Sequence, residues 1–101
     1  MTSLSRLTTW YVEQCDGSWE HHQGISIQST DNPGWWVKIS LDKTDLMQKA
    51  FAPVMIGINS HGHPAAKSWL QCGVRAGTWE GAGDETRLEE IIDRFLAWAE
   101  R

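Results

Sequence analysis

The chain has 101 residues and a formal net charge of −4 at pH 7, from 9 basic and 13 acidic side chains. Its length predicts one domain over residues 1–101, and its mild acidity argues against a nucleic-acid binder, which normally carries a basic patch. No apolar run approaches the roughly 20 residues of a membrane span, and the N-terminus lacks the apolar core of a signal peptide. We therefore expect a cytoplasmic protein in which Cys15 and Cys72 are both reduced.

The tryptophan content is unusual, with 7 indole rings in so short a chain. Each ring can bury about 150–250 Å², so a few of them would supply much of the core. They are too many all to be buried, and we expect some at the rim with the indole N–H reaching a partner. A pair exposed at the surface would indicate a binding site, because Trp is enriched among interface hot spots.

The first predicted element is a helix of about three turns near the N-terminus. Its apolar stripe comprises Leu4, Leu7, Tyr11 and Cys15. Thr2 or Ser3 can cap its start, and Gly17 can end it in the left-handed conformation. Because Cys15 lies on the apolar stripe, we interpret it as a small buried hydrophobic residue.

Two alternating segments then predict an antiparallel hairpin. One face would carry the apolar side chains Ile25, Ile27, Val37, Ile39 and Leu41, and the opposite face would carry Gln28, Trp36 and Lys38. Pro33 and Gly34 predict a type II turn between the strands, because proline fixes φ and glycine tolerates a positive φ. The polar face of this hairpin is expected to be open to solvent.

Three further alternating segments, residues 54–58, 70–74 and 78–80, predict strands, and the glycines at 81 and 83 are expected to end the sheet. A last helix carries the stripe Leu88, Ile91, Ile92, Phe95 and Ala99. Thr86 and Glu89 have capping-box spacing, with Asp84 as an alternative cap. The order predicts an α+β fold: an antiparallel sheet of four or five strands, with an N-terminal and a C-terminal helix packed on one face.

Three kinds of site are compatible with the polar residues. His61 and His63 flank a glycine in a loop, which suggests either a metal-binding module or, as we prefer, solvated loop histidines. Cys72 or Cys15 would serve a small cysteine-dependent enzyme such as a sulfurtransferase. Neither position lies at a helix N-terminus, which would lower a thiol pKa. We therefore expect neither a catalytic nor a metal site.

The third kind of site is a surface for a protein partner. Acidic and aromatic side chains lie close together in sequence, and the candidate contact residues are Asp16, Glu20, Asp31 and Trp36. Such a patch could anchor a basic protein surface through aromatic contacts and charge complementarity. Trp19 and Trp35 lie in the same stretch, and they can equally be core residues that brace the hairpin.

Several motifs of the chain resemble the immunity protein 53 family. The likeness is carried by Trp10-Tyr11, Cys15-Asp16-Gly17-x-Trp19-Glu20-His21, Gly24-Ile25, Asp31-Asn32-Pro33-Gly34-Trp35, Val37-x-Ile39-x-Leu41, Trp79-Glu80-Gly81-x-Gly83, Leu88-Glu89-Glu90-Ile91-Ile92 and Phe95-Leu96-x-Trp98. The likeness spans nearly the whole chain in order, and the 59–67 loop is the part that has no counterpart in the family's pattern.

The resemblance implies a cytoplasmic bacterial immunity protein of a polymorphic-toxin system. Such a protein binds and neutralises a cognate toxin, and the class is non-enzymatic. It implies a protein partner, and we expect neither a cofactor nor a nucleic-acid or membrane partner. It supplies no contact residue, so the four candidates above depend on the sequence pattern alone.

Overall fold

The computed structural model describes residues 2–100, which form three helices and one five-stranded antiparallel sheet. In chain order the elements are α1 (Ser3–Gln14), α2 (Trp19–His22), β1 (Ile25–Thr30), β2 (Gly34–Ser40), β3 (Val54–Ile56), β4 (Leu70–Arg75), β5 (Thr78–Asp84) and α3 (Leu88–Ala99). The strand order across the sheet is β1-β2-β5-β4-β3. The predicted α+β fold with terminal helices is confirmed.

The sheet has one face against the helices and one face without a helix. The prediction that the apolar side chains of the hairpin share one face is confirmed, because Ile25 pairs with Ile39 and Ile27 pairs with Val37. Helix α3 packs across β5 and β2, and α1 packs against α3. Val37 and Ile39 are fully buried under this helical layer. Side chains of opposite parity, such as Trp36, therefore point to the other face.

A series of edge-to-face aromatic rings runs through the core. Ring centroids lie 5.0 Å apart for Trp10 and Phe95, 5.3 Å for Phe95 and Trp79, 5.8 Å for Trp79 and Phe51, and 5.3 Å for Phe51 and Trp98. Each such pair contributes about 0.5–1.5 kcal/mol beyond the burial of its area. The rings connect α1, the 41–53 connection, β5 and α3, so the core depends on contacts between distant segments.

Several indole N–H groups reach backbone carbonyls far away in the chain. The acceptors are the carbonyl oxygens of Asp42 for Trp19 (3.0 Å), Glu85 for Trp35 (3.1 Å) and Ala50 for Trp98 (2.8 Å). Trp19 is 3% exposed and belongs to the core, and Trp35 packs against the core from a half-buried position. The expectation that some rings lie at the rim with the N–H bonded is therefore confirmed.

Helix α1 is rotated relative to the predicted stripe. Leu4 is 59% exposed, whereas Ser3 and Leu7 are buried. The Ser3 hydroxyl donates to a carboxylate oxygen of Asp93 on α3, so a polar contact directs this face inward. The predicted burial of Cys15 is only partial, because it lies at the C-cap and its thiol donates to the Tyr11 carbonyl. The apolar spacing therefore placed Leu7 correctly on the buried face and placed Leu4 wrongly.

Two predictions about glycine are wrong for the same physical reason. Gly34 does not lie at a turn centre: residues 31–33 form the turn, and Gly34 begins β2, where a Cβ would collide with the Gly83 carbonyl. The sheet does not end at residue 81, because β5 continues to Asp84. A Cβ on Gly81 would lie 2.5 Å from Cγ2 of Ile91 on α3. These glycines permit close backbone and helix approach rather than chain reversal.

A buried carboxylate, not a capping box, organises the start of α3. Asp84 is 3% exposed and accepts the backbone N–H of Trp69 at 2.8 Å and of Thr86 at 2.9 Å, and Nε of Arg87 at 3.2 Å. Bonds from the Thr86 hydroxyl and the other donors hold the pKa of Asp84 well below its ordinary value of 3.8. Asp84 therefore ties the beginning of β4 and the end of β5 to the first turn of α3.

Candidate functional site

The sheet face without a helix is the candidate site, and we call it the open face. Its residues come from all five strands and include Gln28, Trp36, Lys38, Met55, Gln71, Gly73, Arg75, Glu80 and Ala82. These residues share one face of the sheet, because paired residues in adjacent strands point to the same side. Trp36, Lys38 and Glu80 are half-buried, and Met55 is 60% exposed.

Trp36 lies within a small polar network on the open face. Its indole N–H donates to a Glu80 carboxylate oxygen at 3.1 Å, and Nζ of Lys38 lies 4.5 Å from the ring centroid. The second Glu80 oxygen accepts from the Arg75 guanidinium at 3.1 Å. These contacts fix the orientation of the indole ring, so Trp36 presents a preorganised aromatic surface.

A shallow depression of about 340 Å³ lies beside Trp36. Gly73 and Ala82 are the small residues in its lining, and Met55 and Arg75 also border it. A Cβ built on Gly73 would meet nothing within 4 Å, so the fold itself does not require a glycine there. The depression is therefore a concave feature that a bulky side chain of a partner can fill.

The candidate residues Asp16 and Glu20 lie together and build the turn between α1 and α2. The Asp16 carboxylate accepts the backbone N–H groups of Ser18 and Trp19, both at 2.9 Å. The Glu20 carboxylate accepts the N–H groups of Asp16 and Gly17 at 3.0 and 2.8 Å. Such backbone N–H donors lower the pKa of both carboxyl groups. Gly17 has the predicted positive φ, +91°, but α1 ends at Gln14 with Cys15 as its C-cap, so Gly17 turns the chain before α2 rather than ending α1.

The four candidate contact residues do not form one cluster. Asp31 lies in the 31–33 turn, at the end of β1 opposite to Asp16 and Glu20, and a six-residue strand such as β1 spans about 20 Å. Trp36 lies on the open face between these ends, paired with Gln28. Sequence reasoning missed Glu80, Arg75 and Gly73, although the alternation of the fourth and fifth segments could have placed the first two on one face of the hairpin that these segments form.

The two cysteines occupy different environments, and Cys72 does not resemble an activated thiol. Cys72 is 2% exposed in β4, and burial raises its pKa from 9.0 to about 11. The thiolate is the reactive form of cysteine, so this environment suppresses nucleophilic attack at neutral pH. Cys15 is half-buried at the end of α1.

The loop that carries His61 and His63 is organised by Asn59. The Asn59 side-chain oxygen accepts the backbone N–H groups of His61 at 2.9 Å and His63 at 3.0 Å. Strand β3 ends at Ile56, shorter than predicted, because Gly57 turns the chain with φ of +67°. Within residues 2–100, no three His, Cys, Asp or Glu side chains come close enough to hold a metal ion.

Within the described part of the chain, no helix has both the length and the apolar character needed to cross a membrane.

The comparisons with known proteins identify a family. Neither the curated proteins nor the solved structures contain a match to this sequence. The family model described as immunity protein 53 matches residues 4–100, which is nearly the whole chain. The chain therefore belongs to the immunity protein 53 family.

Proposed function

We propose that this protein neutralises a cognate polymorphic toxin in the cytoplasm by binding it as a stoichiometric inhibitor. Membership of the immunity protein 53 family is the observation that carries this proposal. The geometry supports binding rather than catalysis, since Cys72 is buried with a raised pKa and the concave feature beside Trp36 is a shallow surface depression.

The proposed contact surface is the open face, with Trp36 as its central anchor. Hot-spot residues are enriched in Trp and Arg, and they lie in preorganised positions near the centre of an interface. Trp36 has this position, because Glu80 and Lys38 hold its ring beside the depression at Gly73. A side chain of the toxin would fill the depression, and the Trp36 ring would cover it.

The acidic candidates form the proposed margin of this surface. Asp31 lies in the turn, about 10 Å along the strands from the Trp36–Gln28 pair. Asp16 and Glu20 lie near the other end of β1, where their carboxylates also hold a turn. Charges at an interface rim act mainly on the association rate. We therefore assign the anchoring role to Trp36 and the steering role to Asp16, Glu20 and Asp31.

Co-expression with the toxin encoded beside this gene tests the function. The wild-type chain should restore growth and be recovered with the toxin as a complex of fixed stoichiometry. Persistent toxicity together with no complex would refute toxin neutralisation. The Trp36→Ala variant should lose protection, because truncation of a central Trp anchor typically costs at least about 2 kcal/mol of binding free energy.

Val12→Asp is the matched control for the contact surface. Val12 is 60% exposed on α1, which lies on the helical side of the sheet, so a charge there leaves the open face unchanged. This variant should protect as well as the wild type. If Val12→Asp abolishes protection and Trp36→Ala does not, the contact surface lies on the helical side and the assignment to the open face is wrong.

A further inference from the structure

Strand β1 is an edge strand whose outer hydrogen-bonding groups point away from the sheet. The backbone N–H of Ser40 donates to the Gly24 carbonyl at 3.0 Å, so the even-numbered residues of β1 bond to β2. The N–H and C=O groups of Ile25, Ile27 and Ser29 therefore point outward, since alternate residues of an antiparallel strand face opposite neighbours. Within residues 2–100, β1 pairs with β2 alone.

This edge lacks the usual protection against pairing with another strand. Natural edges are blunted by charges, prolines, bulges or short length. The opposite edge follows this rule, because β3 has three residues and Pro53 precedes it. In contrast, β1 has six residues in continuous register and contains neither a charged residue nor a proline.

An apolar groove runs beside the same edge. It lies between α1 and β1, has a volume of about 430 Å³, and is lined by Leu4, Leu7, Tyr11, Ile25 and Ile27 among others. Leu4 is 59% exposed and Ile27 is 39% exposed, so water reaches both side chains. An added strand would extend the sheet. Its side chains on the helical face would also pack against Leu4 and Ile27.

We propose that the occupant is a second copy of this chain, paired antiparallel through β1 about a two-fold axis at Ile27. In this register Ile27 faces Ile27 of the second copy, and Ile25 faces Ser29 in both directions. All three outward residues then exchange hydrogen bonds, and side chains of equal parity meet on the same face. A two-fold axis requires such a self-complementary surface, and β1 provides one.

The charge distribution favours a second copy over a charged partner. The chain carries a net charge of −4, so two copies can associate only where their contact surfaces avoid like charges. Both β1 and the groove lining consist of uncharged residues, which lets two copies meet there without facing like charges. A strand edge about 20 Å long with one groove is small for an interface, so the dissociation constant should be on the order of micromolar.

Sedimentation of the full chain over a concentration series tests the dimer. The wild type should pass from monomer to dimer, and Ile27→Lys should raise the dissociation constant by at least about tenfold, because two ammonium groups would meet at the axis. Met55→Lys is the matched control, since Met55 is also exposed but lies on the opposite edge strand. A wild type that stays monomeric at all concentrations, or a dimer broken only by Met55→Lys, would overturn the proposal.

Ser29→Pro provides a second variant that preserves the fold. The Ser29 N–H points outward, so proline removes a donor for the second copy and leaves the β1–β2 bonds in place. Circular dichroism should be unchanged, while dimerisation weakens. An unchanged dissociation constant in this variant would contradict pairing through the β1 backbone.

A cysteine cross-link tests the register directly. Cα atoms of a hydrogen-bonded antiparallel pair lie about 5.5 Å apart, which is within disulfide range. With Cys15→Ser as the background, Ile27→Cys should form a disulfide-linked dimer under mild oxidation, and Met55→Cys should not. Cross-linking at position 55 but not at position 27 would refute the register.

Toxin binding and self-association can fail independently. Ile27→Lys should keep toxin protection, and Trp36→Ala should keep the dimer, because the two residues lie on different surfaces. A wild-type protein that protects against the toxin but does not dimerise would refute only this inference and would leave the proposed function standing.

Discussion

Replacing Gly73 with valine gives the most direct test of the open face. Gly73 lies in the interior of β4, and its φ is outside the left-handed region that favours glycine. A Cβ at this position meets nothing within 4 Å. The substitution therefore adds a side chain to the depression beside Trp36 at a position where its Cβ meets no other atom.

The stability change can be worked out from the strand context. Glycine inside a strand costs about 0.5–1 kcal/mol relative to alanine, and valine favours strands on a scale that spans about 1 kcal/mol. The free energy of unfolding of Gly73→Val should therefore rise by about 1 kcal/mol. For a domain near 100 residues this corresponds to an increase in Tm of about 4–8 °C.

Gly81→Ala is the matched control on the other face of the sheet. Gly81 pairs with Cys72, next to Gly73, but its Cβ would lie 2.5 Å from Ile91 and 2.8 Å from the Trp79 ring. Overpacking of this kind costs about 1–3 kcal/mol. Urea unfolding of both variants should give shifts of opposite sign. A destabilised Gly73→Val or a neutral Gly81→Ala would refute the assignment of the two faces.

The same valine tests the contact surface. If a toxin side chain enters the depression, Gly73→Val should weaken toxin binding although the fold is more stable. Few substitutions separate loss of binding from loss of stability so clearly. Undiminished toxin affinity in a correctly folded Gly73→Val protein would exclude the depression from the interface.

Three further predictions concern single polar groups. Asp84→Asn should lower the free energy of unfolding by about 1.5–3 kcal/mol, since the charge-assisted bond to Arg87 is lost. The pKa of Asp84 is lowered by folding, so its stabilisation is complete above about pH 5 and is lost as the pH falls through 3.8 towards the folded value. Acid titration of stability should therefore be less steep in Asp84→Asn, and equal slopes would contradict this role. Cys72, with a pKa of about 11, should react with a thiol reagent at least about 100-fold more slowly in the native state than in urea, and rapid native labelling would contradict its burial. Asn59→Ala should make the 59–67 loop more susceptible to limited proteolysis, and an unchanged cleavage rate would show that the two side-chain bonds are dispensable.

The elements that could be predicted from the sequence are those with a strong local period. The alternation around Ile27 and Val37 placed the apolar side chains of the hairpin on one face, and the stripe of α3 placed the last helix. The rotation of α1 could not be predicted, because it depends on a contact between Ser3 and Asp93 across 90 positions of sequence. Likewise, the extent of β5 depends on how closely α3 approaches Gly81, which is a tertiary property.

The candidate site was predictable only where a residue's face followed from alternation. Trp36 was placed on the polar face of the hairpin for this reason, and the structure agrees. The joining of Trp36 to Glu80 and Arg75 depends on the strand order, in which β5 lies between β2 and β4. Strand order is set by non-local pairing, so neighbours that are 44 positions apart could not be inferred from spacing.

The salt dependence of the proposed toxin association should separate the proposed anchor, Trp36, from the proposed acidic margin. The open face carries Lys38 and Arg75 around Glu80, so it is not acidic itself, whereas Asp31 adds negative charge at the margin. Stopped-flow kinetics should show that Asp31→Lys slows association at low salt, with the difference disappearing near 0.5 M salt, because the Debye length is then only about 4 Å.

Trp36→Ala should instead act on dissociation. Loss of about 2 kcal/mol of binding free energy corresponds to a dissociation rate about 30-fold higher, and this effect should persist at every salt concentration. The comparison uses Asp31 rather than Glu20, because the Glu20 carboxylate also holds the turn before α2 and its reversal would disturb the fold. If Trp36→Ala changes only the association rate, and that change disappears at high salt, then Trp36 is a rim residue and the anchor lies elsewhere.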